Sequence, residues 1–120
     1  MLDVCEKYFG ASWDKGTIFA YGDTIHAKNP SRITPDVEAH ELVHLRQQRD
    51  IGKDIWWDMY LKDASFRESQ EVPAYKTQLE YALKHYDRNY KKALRKHCCE
   101  SLSKLSGGTI TLAKAQQLLA

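Results

Sequence analysis

The chain has 120 residues, 42% of them hydrophobic and 28% charged, which suits one domain with a modest core and leaves no room for two cores of ordinary size. A formal net charge of +2 argues against a chain built throughout as a polyelectrolyte for nucleic acid. Three cysteines, with Cys98 and Cys99 adjacent, argue against a disulfide framework, and no apolar run approaches a membrane span. The opening "MLDVCEKYFG" lacks the basic-then-apolar layout of a signal peptide, so a cytoplasmic location is expected.

In chain order, "GTIFAYGDTIHAK" places β-favouring residues on either side of Gly22-Asp23, with Ile18, Ala20, Ile25 and Ala27 alternating, which predicts a hairpin. "NPSR" breaks the pattern. A helix is expected from Thr34 as N-cap, with Pro35 at its first position, Asp36 and Glu38 at the positive end of its dipole, and Gly52 to stop it. "DIWWDMYLKD" reads as a short helix or irregular connection that packs Ile55, Trp56, Met59 and Tyr60. A further helix runs from Ser65 to about His85, with Glu68 at capping-box spacing from Ser65 and Pro73 expected to delay or kink it. A basic helix follows, up to the Ser106-Gly107-Gly108 break, and Thr111 opens a terminal helix. The reading is an α+β fold, mostly helical. It makes residues 1–120 one domain, with a core at about 17–85 and a helical extension at about 86–120.

The helix of "VEAHELVHLRQQ" carries the chemistry. At about 100° per residue, His40 and His44 lie within about 40° of each other, so both imidazoles leave one face and can bind one metal ion. Glu41 lies on the flank of that face, where a carboxylate can take a proton from water activated by the ion without ligating it. Val37, Gln48 and Ile51 share the stripe, which suits burial. Two histidines at ligand spacing around an acid are harder to assign to packing than one buried histidine is.

A catalytic zinc takes three protein ligands. Asp50 would point roughly 80° from His40 and 120° from His44 on a continuous helix, toward the wrong side. The better candidates stand in "SFRESQEVPAY". Glu68 has a bland role as a capping residue, whereas Glu71 has none and shares a face with Tyr75 and Gln78.

"HELVHLRQ", the aromatic connection with Trp56, Trp57 and Tyr60, and "EVPAY" together resemble the gluzincin metallopeptidases, specifically small bacterial and phage-borne minimal forms. Roughly residues 17 to 80 are covered. Pro73 departs from the pattern, which has a glutamate there. The resemblance implies a zinc metallopeptidase in which His40, His44 and Glu71 hold Zn2+, Glu41 is the general base, and the hairpin offers an edge strand to an extended peptide or protein substrate. Tyr75 is expected to hydrogen-bond a ligating imidazole. His26, Tyr60 and Arg67 are the candidates for stabilising the transition state.

Two other classes are distinguishable. One is a non-catalytic zinc-binding or interaction protein on the same scaffold, against which Glu41 argues. The other is a helical nucleic-acid binder using Lys84, Arg88, Lys91, Lys92, Arg95, Lys96 and Lys104. Nucleic acid is not the expected partner: this stretch reads as the solvated face of a surface helix, with Tyr81, Leu83, Tyr86, Tyr90, Ala93 and Leu94 as apolar contacts.

Overall fold

A computed structural model describes residues 18–106 and 110–120. The N-terminal stretch and the Gly107-Gly108 break lie outside the described residues. Strands β1 (Ile18–Tyr21) and β2 (Thr24–Ala27) form an antiparallel pair with Ile18 opposite Ala27 and Tyr21 opposite Thr24. The turn between them needs Gly22, whose φ of 68° lies in the left-handed region. A single 3-10 turn, Pro30–Arg32, then leads into the helices α1 (Pro35–Ile51), α2 (Lys53–Lys62), α3 (Ala64–His85), α4 (Arg88–Leu105) and α5 (Leu112–Leu118). The fold is therefore mostly helical α+β, as expected. None of the described helices is long and apolar enough to cross a membrane.

The limits of α1 follow its sequence: Pro35 takes the first position, and Gly52 ends it with a φ of 97° that favours glycine. Thr34 stands at the N-cap, but its hydroxyl donates to Asp36 Oδ1 at 2.6 Å instead of accepting from the backbone. The start of α3 corrects the expected capping box. Asp63 caps that helix, accepting from the N–H groups of Ser65 and Phe66 at 2.9 and 3.2 Å, which takes the cap away from Ser65 and its partner Glu68. Helix α3 also starts before Pro73 and runs through it to His85, with the proline exposed.

Two apolar clusters hold these elements. Phe19, Trp56 and Trp57, flanked by Tyr21, Tyr60 and Phe66, join the hairpin to α2 and α3. Tyr75, Cys98, Cys99, Leu102, Ala115 and Leu119 join α3 to α4 and α5. Packing in α2 meets the expectation at Trp56 and departs from it elsewhere, because Trp57 is buried while Ile55 is 60% exposed and Met59 also faces out. In α1, Ile51 is exposed and leaves the expected stripe, whereas Gln48 is buried. The basic helix is corrected too. Cys98, Cys99 and Leu102 supply its buried contacts, whereas Leu83 is 69% exposed and Tyr90 and Ala93 are exposed as well.

Buried polar groups lock the frame. Gln48 Nε2 donates to the Ala20 carbonyl at 2.8 Å and its Oε1 accepts from the Gly22 N–H at 2.8 Å, so one side chain of α1 pins the hairpin. Trp57 Nε1 donates to the same carbonyl at 3.0 Å. Asp36, almost fully buried, accepts from Thr34, from Gln78 of α3 at 2.8 Å and from Tyr86 at 2.7 Å. Burial works against its charge. The hydrogen bonds outweigh it and hold the carboxyl below its ordinary value.

Candidate metal centre

The pinned hairpin, α1, α2 and α3 surround a cavity of about 240 Å³ walled by Phe19, Ala20, Trp57, Tyr60 and Leu105. His40 and His44 enter it from α1 with their Nε2 atoms 3.2 Å apart. Glu71 enters from α3, its Oε1 lying 2.6 Å from His44 Nε2 and 3.2 Å from His40 Nε2. All three residues are buried. The 27-residue separation between His44 and Glu71 is therefore closed by the packing of α3 on α1. Glu68 does not join the cluster.

Neighbouring side chains orient the three groups. His44 Nδ1 lies 2.9 Å from Gln47 Oε1, so it carries the proton and leaves Nε2 as the lone-pair atom of the neutral ring. Gln47 in turn donates through Nε2 to the Gln70 carbonyl at 3.0 Å, and Trp56 Nε1 donates to Gln70 Oε1 at 2.9 Å. Tyr60 donates its hydroxyl to Glu71 Oε2 at 2.7 Å. His40 has no such partner: its Nδ1 is buried without a hydrogen bond among the described residues. Its ring is held instead edge-on to Tyr75 at 4.5 Å and to His44 at 4.8 Å.

Three lone-pair atoms that converge in a buried site need a cation between them. One candidate is a proton. Burial lowers the affinity of His44 for it, but the Glu71 carboxylate outweighs burial and raises the pKa to about 9. Burial likewise opposes the charge on Glu71, and the two imidazoles hold it well below the usual carboxylate range. The other candidate is a metal ion. Zinc bonds of roughly 2.0–2.1 Å in a tetrahedron place ligand atoms roughly 3.3 Å apart. Two of the three spacings match, and the third, 2.6 Å, is that of a proton-bridged pair and must open slightly. Two imidazoles and one carboxylate suit zinc chemically, and the residues present fit the ion.

Glu41 is buried in the same cavity with Oε2 3.7 Å from His40 Nε2, beside the three converging atoms but outside their group. Burial pushes its pKa above the ordinary value, against the pull of both imidazoles. Of the residues expected to assist, Tyr60 is brought in and stays protonated, because burial and the Glu71 charge both raise its phenol. Tyr75 reaches His40 through its ring, but its hydroxyl pairs with Ser101 and not with an imidazole nitrogen. His26 packs on Phe19 at 5.2 Å and lines a separate depression near the hairpin turn. Arg67 is committed elsewhere, donating to the carbonyls of Tyr60 at 2.6 Å and Leu105 at 2.5 Å.

The roles of Gln47 and Gln70 are not evident from the sequence. Gln47 was visible as the last residue of "HELVHLRQ", one turn after His44, but helical periodicity does not say which atom a glutamine meets. The chain matches no family model, and no curated protein and no solved structure matches it significantly.

Proposed function

We propose that the protein is a zinc-dependent metallopeptidase. The observation that carries this reading is the meeting of Glu71 with His40 and His44, while Glu41 shares their cavity without joining them. When bound, zinc supplies a Lewis acid that acidifies water and polarises a carbonyl. His40, His44 and Glu71 hold it, and Tyr60 and Gln47 hold two of those three ligands in place. Glu41 Oε2 accepts a proton from the attacking water as hydroxide adds to the scissile carbonyl carbon. It returns that proton to the amide nitrogen as the C–N bond breaks. The aromatic wall keeps bulk water away from this exchange. The Ala20 carbonyl is already committed to Gln48 and Trp57, so an extended peptide pairs along β1 through other backbone groups.

Two variants test the assignment. Glu71→Ala should lose stoichiometric zinc, measured by mass spectrometry; full occupancy at unchanged affinity removes Glu71 from the ligand set. Glu41→Gln should keep zinc and lose peptide hydrolysis by about 10²-fold or more. A zinc-loaded wild type that cleaves no member of a peptide library, or a Glu41→Gln variant that cleaves at the wild-type rate, defeats the peptidase reading and leaves a zinc-binding scaffold.

A further inference from the structure

C-terminal to the proposed metal ligands, α3 and α4 enclose a furrow of about 350 Å³ with an unusual lining. Its lining combines an apolar set, the covered Leu79 and Ala82 with the exposed Leu83, and a cationic set, Arg88, Lys91, Lys92 and Arg95. Leu83, at 69% exposure, is the most exposed of the large apolar side chains described. Among the described residues, none of the four cations pairs with a carboxylate. Arg95 also borders a second depression of about 380 Å³, lined further by Cys99, Leu112 and Gln116 and by three cations, Lys92, Arg95 and Lys96, against one acid, Glu100. The two depressions therefore share Lys92 and Arg95 and offer a track along α4 instead of an isolated pit.

We infer that this track binds an acidic, amphipathic segment of a partner protein, whose apolar side chains cover Leu83 and its neighbours while its carboxylates meet the cationic set. Charge complementarity selects the sign of the occupant. The apolar set selects its class. Nucleic acid would satisfy the cations through phosphates and leave Leu83 in water, because phosphate contacts require no apolar surface. A flat anionic lipid surface would touch the cations but not enter a furrow. An acidic helix with leucines on one face meets both demands, as amphipathic helices do in apolar grooves. This interaction does not depend on the metallopeptidase reading.

The test uses the full chain and a fluorescein-labelled peptide of about 16 residues, with leucines at helical spacing and glutamates between them. Three probes serve as controls: the same peptide with every Glu replaced by Gln, single-stranded DNA of equal charge, and vesicles containing phosphatidylserine. Fluorescence anisotropy should show the acidic peptide bound more tightly than each control. Lys92→Glu combined with Arg95→Glu should weaken that binding by about 10-fold or more. Leu83→Ser should weaken it several-fold, and since that side chain is exposed, an unchanged melting temperature verifies folding. Salt between about 0.05 and 0.3 M should weaken the complex without abolishing it. Equal binding of the Gln peptide, tighter binding of DNA or vesicles, or indifference to Leu83→Ser overturns the proposal.

Discussion

The hydroxyl of Tyr60 donates to Glu71 Oε2 at 2.7 Å and leaves Oε1 free to face His40 and His44. One carboxylate oxygen is thus used for orientation, and the other is left to serve the proposed ion. Tyr60→Phe should retain the ring, which stacks on Trp56 at 4.9 Å, and should lose only that hold. Zinc affinity measured by chelator competition is expected to fall by roughly 10-fold, within the range found for outer partners of metal ligands. Unchanged affinity would show that helix packing alone positions Glu71.

Gln47 serves two structures at once, accepting from His44 Nδ1 and donating to the Gln70 carbonyl. Gln47→Ala should therefore weaken zinc by roughly 10–100-fold. It should also lower thermal stability, because one bond tying α1 to α3 is lost, at a cost of about 1 kcal/mol. A variant that matches the wild type in both measurements would leave His44 without need of this partner.

Metal removal has a different expected signature from that of a zinc finger. The ligands touch the two apolar clusters only at their edges, His44 on Trp56 and His40 on Tyr75, and are not members of either, and a proton can sit between His44 and Glu71 in place of the ion. Chelation should lower the melting temperature, by mass action, while far-ultraviolet circular dichroism stays helical. Loss of the helical signal at room temperature on adding chelator would contradict this account.

Asp36 gives the acid limb of stability a definite sign. Its folded-state carboxyl lies below the ordinary value of 3.8, so the unfolded chain binds the proton first as pH falls. The stabilisation is complete well above pH 3.8 and is lost as pH drops through the lower, folded-state value. Asp36→Asn should cost about 1–3 kcal/mol near neutrality, since an amide must face donors that met a carboxylate. Urea midpoints followed downward from pH 5 should then fall less steeply for the variant than for the wild type. Parallel curves would place the acid sensitivity elsewhere.

Much of this architecture is legible in the residues, and the exceptions have identifiable causes. Pro35 and Gly52 bound α1 because each restricts or frees the backbone locally, and Gly22-Asp23 marks the hairpin for the same reason. Glu71 could be singled out because it has no local task. The cap of α3 is ambiguous in the sequence because Asp63 and Ser65 stand two residues apart and both can cap; the geometry of entry from α2 decides between them. In "DIWWDMYLKD" apolar residues occur at almost every register, so periodicity alone cannot choose Trp57 over Ile55 and Met59. Pro73 costs one backbone bond, yet its ring faces solvent, and packing on both sides of it keeps the helix going. The exposure of Leu83 was illegible because a helical stripe shows that a face is apolar without showing what covers it.

The Arg67 guanidinium clamps the end of α2 to the end of α4 through the carbonyls of Tyr60 and Leu105. Tyr60 is the residue that steers Glu71, and Leu105 walls the cavity. His40, His44 and Glu71 occupy only a short span of sequence, but the boundary at which the chain can be shortened lies far beyond them. A fragment ending at His85 would carry all three clustered residues and still lack one of the two acceptors of Arg67, one wall of the cavity and the α4 neighbours of Tyr75. The smallest piece of this chain able to present the centre in working order extends at least through Leu105.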